Sequence, residues 1–253
     1  MLKIKNMILG EGMPKICLPL TAAGFGELRK QARKLREVMP DLVEWRADYL
    51  NALSPEMVRQ GLALLAEDMG EIPILFTIRT IQEGGLASYQ REDYGDCCLA
   101  AAESGMASLI DVEVLPDRAY KVGLIRQLQE KGTGVIGSSH DFRKTPSREA
   151  LLTRLKDLEQ SGADILKLAV MPQCEEDVSH LMEAVRHFRG LSPKPVIAMS
   201  MGELGRPARI YGEEYGSCLT FGKVGEASAP GQMEIGELRR ELVNIHKRME
   251  TGG

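Results

Sequence analysis

Eight short apolar segments recur along this chain at nearly constant intervals, and this repeat constrains the fold more than any other feature. Each segment is rich in β-branched or other apolar residues and is bounded by glycine, proline or charge, which is typical of a buried strand. Their starts lie 22 to 35 residues apart, enough for a strand, a helix and two short loops. The pattern predicts strands at Lys15–Leu20, Leu42–Asp48, Pro73–Arg79, Ser108–Val114, Gly134–His140, Ala163–Val170, Pro195–Met201 and Ser217–Gly222.

Helical periodicity fills the intervals between these segments. After the fifth segment, leucines recur at helical spacing from Leu151 to Leu158, and Pro146 lies near the start of that run. The last interval, from Glu234 to Met249, repeats the pattern. Strands that alternate with helices form parallel sheets through right-handed crossovers, so eight such units predict an α/β fold, a (β/α)8 TIM barrel. We expect it to form one domain over residues 1–253.

An open, doubly wound parallel sheet is the alternative architecture. Such a sheet usually carries a glycine-rich first turn, and Gly24-Phe25-Gly26 lacks the third glycine of that motif. The barrel is therefore favoured. The segment Met1–Glu11 precedes the first strand, and we expect it to form a hairpin that closes the bottom of the barrel.

Charge and composition disfavour several classes of partner. The chain has 32 Lys and Arg residues against 36 Asp and Glu residues and no basic cluster, whereas nucleic acids and anionic membranes require concentrated positive charge. No apolar run reaches the roughly 18 residues that span a bilayer, and the N-terminal residues lack the apolar region of a signal peptide. We therefore expect a cytoplasmic protein that binds neither nucleic acid nor a membrane.

Motifs for metals and cofactors are missing from the sequence. The five cysteines include no Cys-x-x-Cys pair, and the four histidines include no His-Glu-x-x-His motif. No glycine-rich phosphate loop is present either. We therefore expect reduced thiols, no metal and no cofactor.

Lys167 is the most informative residue at the carboxyl ends of the strands, where barrels of this kind carry their chemistry. It interrupts the apolar run Ile165–Val170, and burying an unpaired ammonium is costly. Burial and neighbouring arginines favour the free amine, which is the nucleophile that forms a Schiff base with a ketone or aldehyde. A structural ion pair, for example with Glu113, is the alternative interpretation.

His140 closes the fifth strand, beside the strand that carries Lys167. An imidazole that titrates near neutrality suits general acid and base catalysis next to an imine. Satisfaction by a loop carbonyl is the alternative, and it becomes less favoured once the adjacent lysine is considered.

A set of charged residues on the second and third strands predicts a polar floor. Glu44 and Arg46 share a parity, so both point inward, and Arg79 ends the next strand. Arginine forks bind carboxylates and glutamate accepts from hydroxyls, which matches a small, hydroxylated or carboxylated ligand. A purely structural pairing of the arginines with Glu44 and Asp48 remains open.

Two loops at the same end have the composition of lids. Gly84-Gly85 follows Glu83, and adjacent glycines give a loop conformational freedom, although most such pairs are ordinary turns. The segment Glu226–Gln232 is rich in small residues and leads into the last helix, whose N-terminus favours anions. On the last two strands, Met199, Met201 and Phe221 are expected to supply apolar packing around the site.

The motifs at these strand ends resemble those of the type I 3-dehydroquinate dehydratase family, and the resemblance covers nearly the whole chain. The motifs that carry it are Glu44-Trp45-Arg46, Phe76–Arg79 with Glu83–Gly85, His140–Phe142 with Lys144–Pro146, Lys167 with Ala169–Gln173, Met199–Met201 and Ser228–Gln232. The resemblance implies a (β/α)8 barrel that dehydrates 3-dehydroquinate to 3-dehydroshikimate, a step of the shikimate pathway and aromatic amino acid biosynthesis. It also implies a lysine imine and no metal or cofactor.

The resemblance implies a role for each residue of the site. Lys167 would form the Schiff base, His140 would remove the C2 proton, and Glu83 would support His140. Substrate contacts are implied for Glu44, Arg46 and Arg79 on the ring hydroxyls, Arg209 on the carboxylate, Ser228 and Gln232 closing over it, and Met199, Met201 and Phe221 as an apolar wall.

The sequence departs from the family pattern at four positions. Leu166 precedes the lysine where proline is expected, and Ser139 precedes the histidine where asparagine is expected. Ala208 replaces a serine before the arginine, and Pro19 replaces a small hydroxyl residue on the first strand. None of these changes removes a group expected in catalysis.

Two other functions share some of these sequence features. A class I aldolase would share the barrel lysine but often acts on phosphorylated substrates, which a carboxylate clamp fits less well. A barrel that only binds a ligand would not need both Lys167 and His140. We also expect a homodimer, for which the residues themselves give no signal.

Overall fold

The repeat of strands and helices folds as a barrel in the computed structural model, which describes residues 1–88 and 90–251. A hairpin comes first, formed by β1 (Leu2–Ile4) and β2 (Met7–Leu9). The barrel strands are β3 (Lys15–Leu20), β4 (Leu42–Arg46), β5 (Ile74–Thr77), β6 (Leu109–Glu113), β7 (Gly134–Asp141), β8 (Ile165–Val170), β9 (Val196–Ser200) and β10 (Leu219–Lys223). The helices are α1 (Phe25–Glu37), α2 (Pro55–Met69), α3 (Arg91–Glu103), α4 (Arg118–Glu130), α5 (Arg148–Gln160), α6 (Glu175–Arg189), α7 (Arg206–Ile210), α8 (Gly212–Tyr215) and α9 (Ile235–Glu250).

The parallel strands pair in chain order from β3 to β9, and β10 pairs with β3. A short strand, β11 (Met233–Glu234), pairs with the outer end of β10. Between β9 and β10 the contact is a bridge from Val196 to Ser217, where the Cys218 amide donates to the Val196 carbonyl at 2.8 Å. The ring of strands thereby closes, and the prediction of a (β/α)8 barrel is confirmed.

Alternation along each strand separates the barrel interior from the layer under the helices. On β4, Leu42 points into the barrel and Val43 and Trp45 point outward into the main hydrophobic core. Trp45 packs so closely on α2 that a Cβ built on Gly61 would lie 2.2 Å from its ring. The glycine is therefore required by this helix-to-strand contact.

The hairpin closes the bottom of the barrel, as predicted. Ile4, Met7 and Leu9 form one buried cluster with inward-facing residues from the first halves of the barrel strands, including Cys17 and Leu42. Apolar side chains thus fill the lower interior, and the polar chemistry is confined to the upper half.

Helix starts follow the local sequence with one difference from the prediction. Ser54 caps α2 by accepting a hydrogen bond from the Met57 amide at 3.3 Å, with Pro55 at the first helical position. The helix expected to open around Pro146 instead begins at Arg148, because Ser147 is its cap. None of the helices in the described part of the chain combines the length and hydropathy that a bilayer span requires.

Candidate active site

A cavity opens at the carboxyl ends of the strands, and the residues singled out in the sequence converge on it. Strands β4, β7, β8, β9 and β10, the residues that follow β5 and β9, helix α7 and the segment before β11 all contribute to its wall. The lining residues are Glu44, Arg46, Arg79, Gly84, His140, Phe142, Lys167, Ala169, Met199, Met201, Arg209, Phe221, Ser228, Ala229 and Gln232. Among the predicted site residues, Glu83 lies behind this wall rather than in it.

Lys167 lies on the floor of the cavity with its side chain 3% exposed. Its Nζ is 2.9 Å from Oδ2 of Asp111 and 3.6 Å from Oε1 of Glu44, and it lies 4.8 Å from the centre of the Phe221 ring. The amine is therefore held between two carboxylates under an aromatic face, with its tip directed into the cavity.

The structural alternative for Lys167 was an ion pair with an acidic residue such as Glu113; the ion pair is present, but its partners are Asp111 and Glu44. Glu113 instead accepts hydrogen bonds from Arg79 Nη1 at 3.0 Å and from the amide and hydroxyl of Thr80 at 2.8 and 2.6 Å. Asp111 lies two residues earlier on β6, so it projects from the same face and reaches the amine.

His140 lies on the rim of the floor, held by Glu83. In the β7–β8 ladder it pairs with Ala169 while Ser138 pairs with Lys167, so imidazole and amine project from the same face. Its Nδ1 lies 2.8 Å from Oε2 of Glu83. Because Nδ1 faces Glu83, Nε2 is left for a molecule in the cavity.

The electrostatic surroundings favour a neutral imidazole. Burial, together with the positive charges of Arg79 and Lys167, lowers the pKa of His140 well below its ordinary value. Burial and the negative charge of Glu113 raise the pKa of Glu83 to about 8. A neutral imidazole can accept a proton at Nε2 when its Nδ1–H donates to ionised Glu83, and the raised pKa of Glu83 places that ionisation near pH 8.

Arg46 and Arg79 are paired by protein carboxylates. Arg46 forms a two-pronged pair with Asp48, with both contacts at 2.8 Å. Arg79 contacts Asp111 at 2.9 Å and Glu113 at 3.0 Å. The pairing of Arg46 with Asp48 was anticipated as a structural role, whereas Arg79 uses β6 carboxylates that were not.

Arg209 differs from Arg46 and Arg79 because it forms no ion pair among the described residues. It projects from α7, donates to the Phe221 and Pro230 carbonyls at 3.3 and 2.9 Å, and leaves its buried Nε without a partner. Burial lowers the pKa of Arg209 to about 10, still far above neutrality. A buried guanidinium without a carboxylate is suited to an anion entering the cavity.

The remaining predicted residues complete the wall. Ser228 and Gln232 bond to each other, with the Ser228 amide donating to Gln232 Oε1 at 2.9 Å and Gln232 Nε2 donating to the Ser228 hydroxyl at 3.0 Å. Met199, Met201 and Phe221 are buried and line the apolar side. The cavity therefore has one charged side and one apolar side.

The paired glycines after β5 have a packing role that the sequence did not indicate. A Cβ at Gly84, whose φ is +81°, would lie 2.3 Å from the Phe142 ring, and one at Gly85 would lie 2.1 Å from the Arg79 carbonyl oxygen. A left-handed backbone and a close approach to Phe142 therefore explain Gly84, and a close approach to the Arg79 carbonyl explains Gly85. A lid function for this loop stays a prediction.

Several residues of the site were missed or lie outside it. Asp111, Ser138 and Thr77 were not singled out, although an aspartate in an apolar strand is the same signal that pointed to Lys167. The four departures from the family pattern, Leu166, Ser139, Ala208 and Pro19, do not line the cavity.

Within residues 1–88 and 90–251, no group of three His, Cys, Asp or Glu side chains is placed to hold a metal ion. The five cysteines are free thiols, and Cys174 is the exposed one among them. The cavity presents an amine, an imidazole and a guanidinium to its contents. Such groups at the mouth of a barrel are typical of an enzyme that acts on a small molecule.

Comparison with known proteins identifies the kind of barrel enzyme. Residues 16–249 match the family model for type I 3-dehydroquinase. A 3-dehydroquinate dehydratase from Bacillus velezensis is 39% identical over 248 residues, which cover 97% of this chain and 98% of the relative. The chain belongs to the type I 3-dehydroquinase family.

Solved structures agree with this assignment. The type I 3-dehydroquinate dehydratase from Clostridium difficile, solved with covalently modified comenic acid, is 38% identical with a TM-score of 0.93, covering 97% of this chain and 98% of that one. The enzyme from Geobacillus kaustophilus is 35% identical with a TM-score of 0.94, covering 97% and 96%.

Proposed function

We propose that this chain dehydrates 3-dehydroquinate to 3-dehydroshikimate through a Schiff base between the substrate ketone and Lys167. The observation that carries the proposal is the position of the Lys167 amine on the floor of a cavity that also holds a neutral imidazole and an unpaired arginine. The C. difficile relative was solved with covalently modified comenic acid, which is consistent with covalent chemistry in this family. Dehydration places the enzyme in the shikimate pathway.

The first half of the reaction builds the electron sink. The Lys167 amine, once deprotonated, attacks the ketone carbon to give a carbinolamine. The carbinolamine hydroxyl takes up one proton, equivalent to the one that the lysine released, and leaves as water, so that an iminium ion remains. An iminium nitrogen accepts electrons far better than a carbonyl oxygen does, so the adjacent C–H becomes acidic. His140 Nε2 then removes the C2 proton, and the electrons of the C–H bond move toward nitrogen to give an enamine.

The second half expels the hydroxyl group and releases the lysine. The enamine electrons return to form the new carbon–carbon double bond while the β-hydroxyl leaves with the proton that His140 carries, as water. A second water molecule hydrolyses the conjugated iminium, which restores the amine and frees the enone. One imidazole thus serves as base and then as acid, and Glu83 keeps its Nδ1 side fixed.

Binding is assigned to the arginine, glutamate and loop residues around the cavity. Arg209 would take the substrate carboxylate, because Arg46 and Arg79 already pair with protein carboxylates. Glu44 and the two paired arginines would hold ring hydroxyls, with Ser228 and Gln232 over the ligand. Met199, Met201 and Phe221 would pack against the ring.

The experiment that tests this function is the appearance of conjugated enone absorbance when the protein is mixed with 3-dehydroquinate. Lys167→Ala should abolish it. His140→Ala should lose at least about 10²–10⁴-fold in turnover and accumulate a covalent species detectable by mass spectrometry. Absence of enone with the wild-type protein, or aldol cleavage of phosphorylated sugars instead, would refute the proposal.

A homodimer in the cytoplasm remains the prediction made from the sequence. Light scattering of the purified chain at micromolar concentration tests the assembly, with a mass of about twice the 27.9 kDa chain expected.

A further inference from the structure

Asp111 is the carboxylate in direct contact with the reacting amine. Its Oδ2 lies 2.9 Å from Lys167 Nζ, and its side chain is fully buried. Asp111 is on β6 and Lys167 is on β8, with β7 between them. The contact therefore runs through the barrel interior rather than along a strand pair.

Three donors fix Asp111 in its ionised form. Besides the amine, the Ser138 hydroxyl donates to Oδ1 at 2.5 Å and Arg79 Nη2 contacts the same oxygen at 2.9 Å. Although burial raises the pKa of Asp111, the charges of Arg79 and Lys167 outweigh it and hold that pKa below its usual range. The residue is thus a permanent negative charge beside the nitrogen and a poor proton acceptor.

We propose that Asp111 is a catalytic residue that keeps the Lys167 imine protonated; this rests on the proposed Schiff base. When the amine has bonded to the ketone carbon and water has left, one hydrogen remains on the iminium nitrogen. That N–H donates to Asp111 Oδ2, and no proton is transferred to the carboxylate. An imine nitrogen is much less basic than an amine, so it needs a fixed anion to stay charged and act as the electron sink.

The neighbouring carboxylates are placed for other tasks. Glu44 lies farther from the nitrogen, at 3.6 Å, accepts from Thr77, and lines the cavity where ring hydroxyls would bind. Glu113 bonds to Arg79 and Thr80 and forms no ion pair with Lys167 in the described structure. Asp111 is accordingly the carboxylate in hydrogen-bond contact with the nitrogen.

The pH dependence follows from all the charges around Lys167. The anions are Asp111 and Glu44, and the other titratable or charged groups nearby are Arg79, Arg46, His140, Glu83, Arg209 and the buried thiol of Cys17. Removing the closest anion leaves an excess of positive charge, so the iminium loses its proton at lower pH. The alkaline limb of the kcat profile should therefore move toward lower pH.

Asp111→Asn is the direct test, with Glu113→Gln as its matched control. Both positions are buried on β6, face the same side and contact Arg79, but Asp111 alone of the two touches the amine. Asp111→Asn should lower kcat by about 10²-fold and shift its alkaline limb by about one to three pH units toward acid. Glu113→Gln, which acts on the site only through Arg79 and Glu83, should shift that limb less than Asp111→Asn does.

The controls separate this inference from the proposed function. If borohydride traps no adduct on Lys167 of the wild-type enzyme, the Schiff base itself fails. If the adduct forms and Asp111→Asn keeps the wild-type kcat profile, or Glu113→Gln shifts it equally, the role of Asp111 is refuted. Circular dichroism checks that each variant is folded. If Asp111→Asn does not fold, Asp111→Ser, whose smaller side chain admits water, takes its place, and the same loss of kcat and the same shift of the alkaline limb are expected.

Discussion

The imidazole Nδ1 of His140, on β7, lies 2.8 Å from Oε2 of Glu83, which is in the loop between β5 and α3. This contact decides which ring nitrogen faces the cavity, and the two groups shift in opposite directions: burial lowers the pKa of the imidazole while burial and Glu113 raise that of the carboxyl group. The imidazole is therefore held in its neutral form, and its Nε2 can accept a proton when Glu83 is ionised.

Two histidines of this chain should titrate on opposite sides of the ordinary value. Burial, Arg79 and Lys167 lower the pKa of His140, whereas the hydrogen bond that the ring of the solvent-accessible His246 donates to Glu213 raises the pKa of His246. Nuclear magnetic resonance titration of the ring protons should place the His140 midpoint below pH 6.5 and that of His246 above it. Coincident midpoints, or the reverse order, would contradict the electrostatic description of the site.

The lowered pKa of His140 also makes the free energy of unfolding depend on pH. Because the folded-state pKa of His140 lies below its unfolded value, the unfolded chain binds the proton more readily. The contribution of His140 to the free energy of unfolding is therefore complete above the unfolded pKa of about 6.5 and is lost as the pH falls below it.

Replacing Arg209 should weaken substrate binding more than it slows chemistry. Within the described residues the buried guanidinium has no carboxylate partner, so Arg209→Gln removes a charged contact worth about 1.5–3 kcal/mol and should raise KM roughly 10- to 150-fold. Arg206→Gln is the control, since Arg206 lies on the same helix but is partly exposed and pairs with Glu237. Equal values of KM in the two variants would remove Arg209 from the carboxylate site.

Two helical glycines should respond to alanine with opposite signs. At Gly61 a Cβ would lie 2.2 Å from the buried Trp45 ring, so Gly61→Ala should cost about 1–3 kcal/mol through overpacking. At Gly123, in α4, a Cβ meets no heavy atom within 4 Å, so Gly123→Ala should gain up to about 1 kcal/mol. Denaturant unfolding measures both, and a shift of the same sign in both would show that the Trp45 contact is not limiting.

The barrel was predictable because each buried strand needs an apolar run and each crossover needs a helix of similar length. The residues at which the strands end were less predictable. The run Leu42–Asp48 was expected to be one strand, but β4 stops at Arg46 and the next residues form a 3-10 turn that brings Asp48 back onto the guanidinium. The composition of this segment does not predict the turn, because the turn accompanies the ion pair between Arg46 and Asp48.

Some residues of the site could likewise be predicted from the sequence and others could not. Lys167 and His140 stand out in the sequence because each breaks an apolar strand. Asp111 also interrupts an apolar strand. Its contact with Lys167, however, crosses the barrel interior from β6 to β8, and the sequence does not indicate that these two side chains meet. Arg209 lies on a five-residue helix outside the strand pattern, so only resemblance to a family could point to it.

Mass spectrometry after borohydride reduction tests the Schiff base most directly. Borohydride added during turnover of 3-dehydroquinate should inactivate the enzyme and leave the reduced product skeleton on the peptide that contains Lys167, while Lys167→Ala should remain unlabelled. An adduct on any other lysine, or full activity after borohydride with substrate present, would contradict the assignment of Lys167 as the nucleophile.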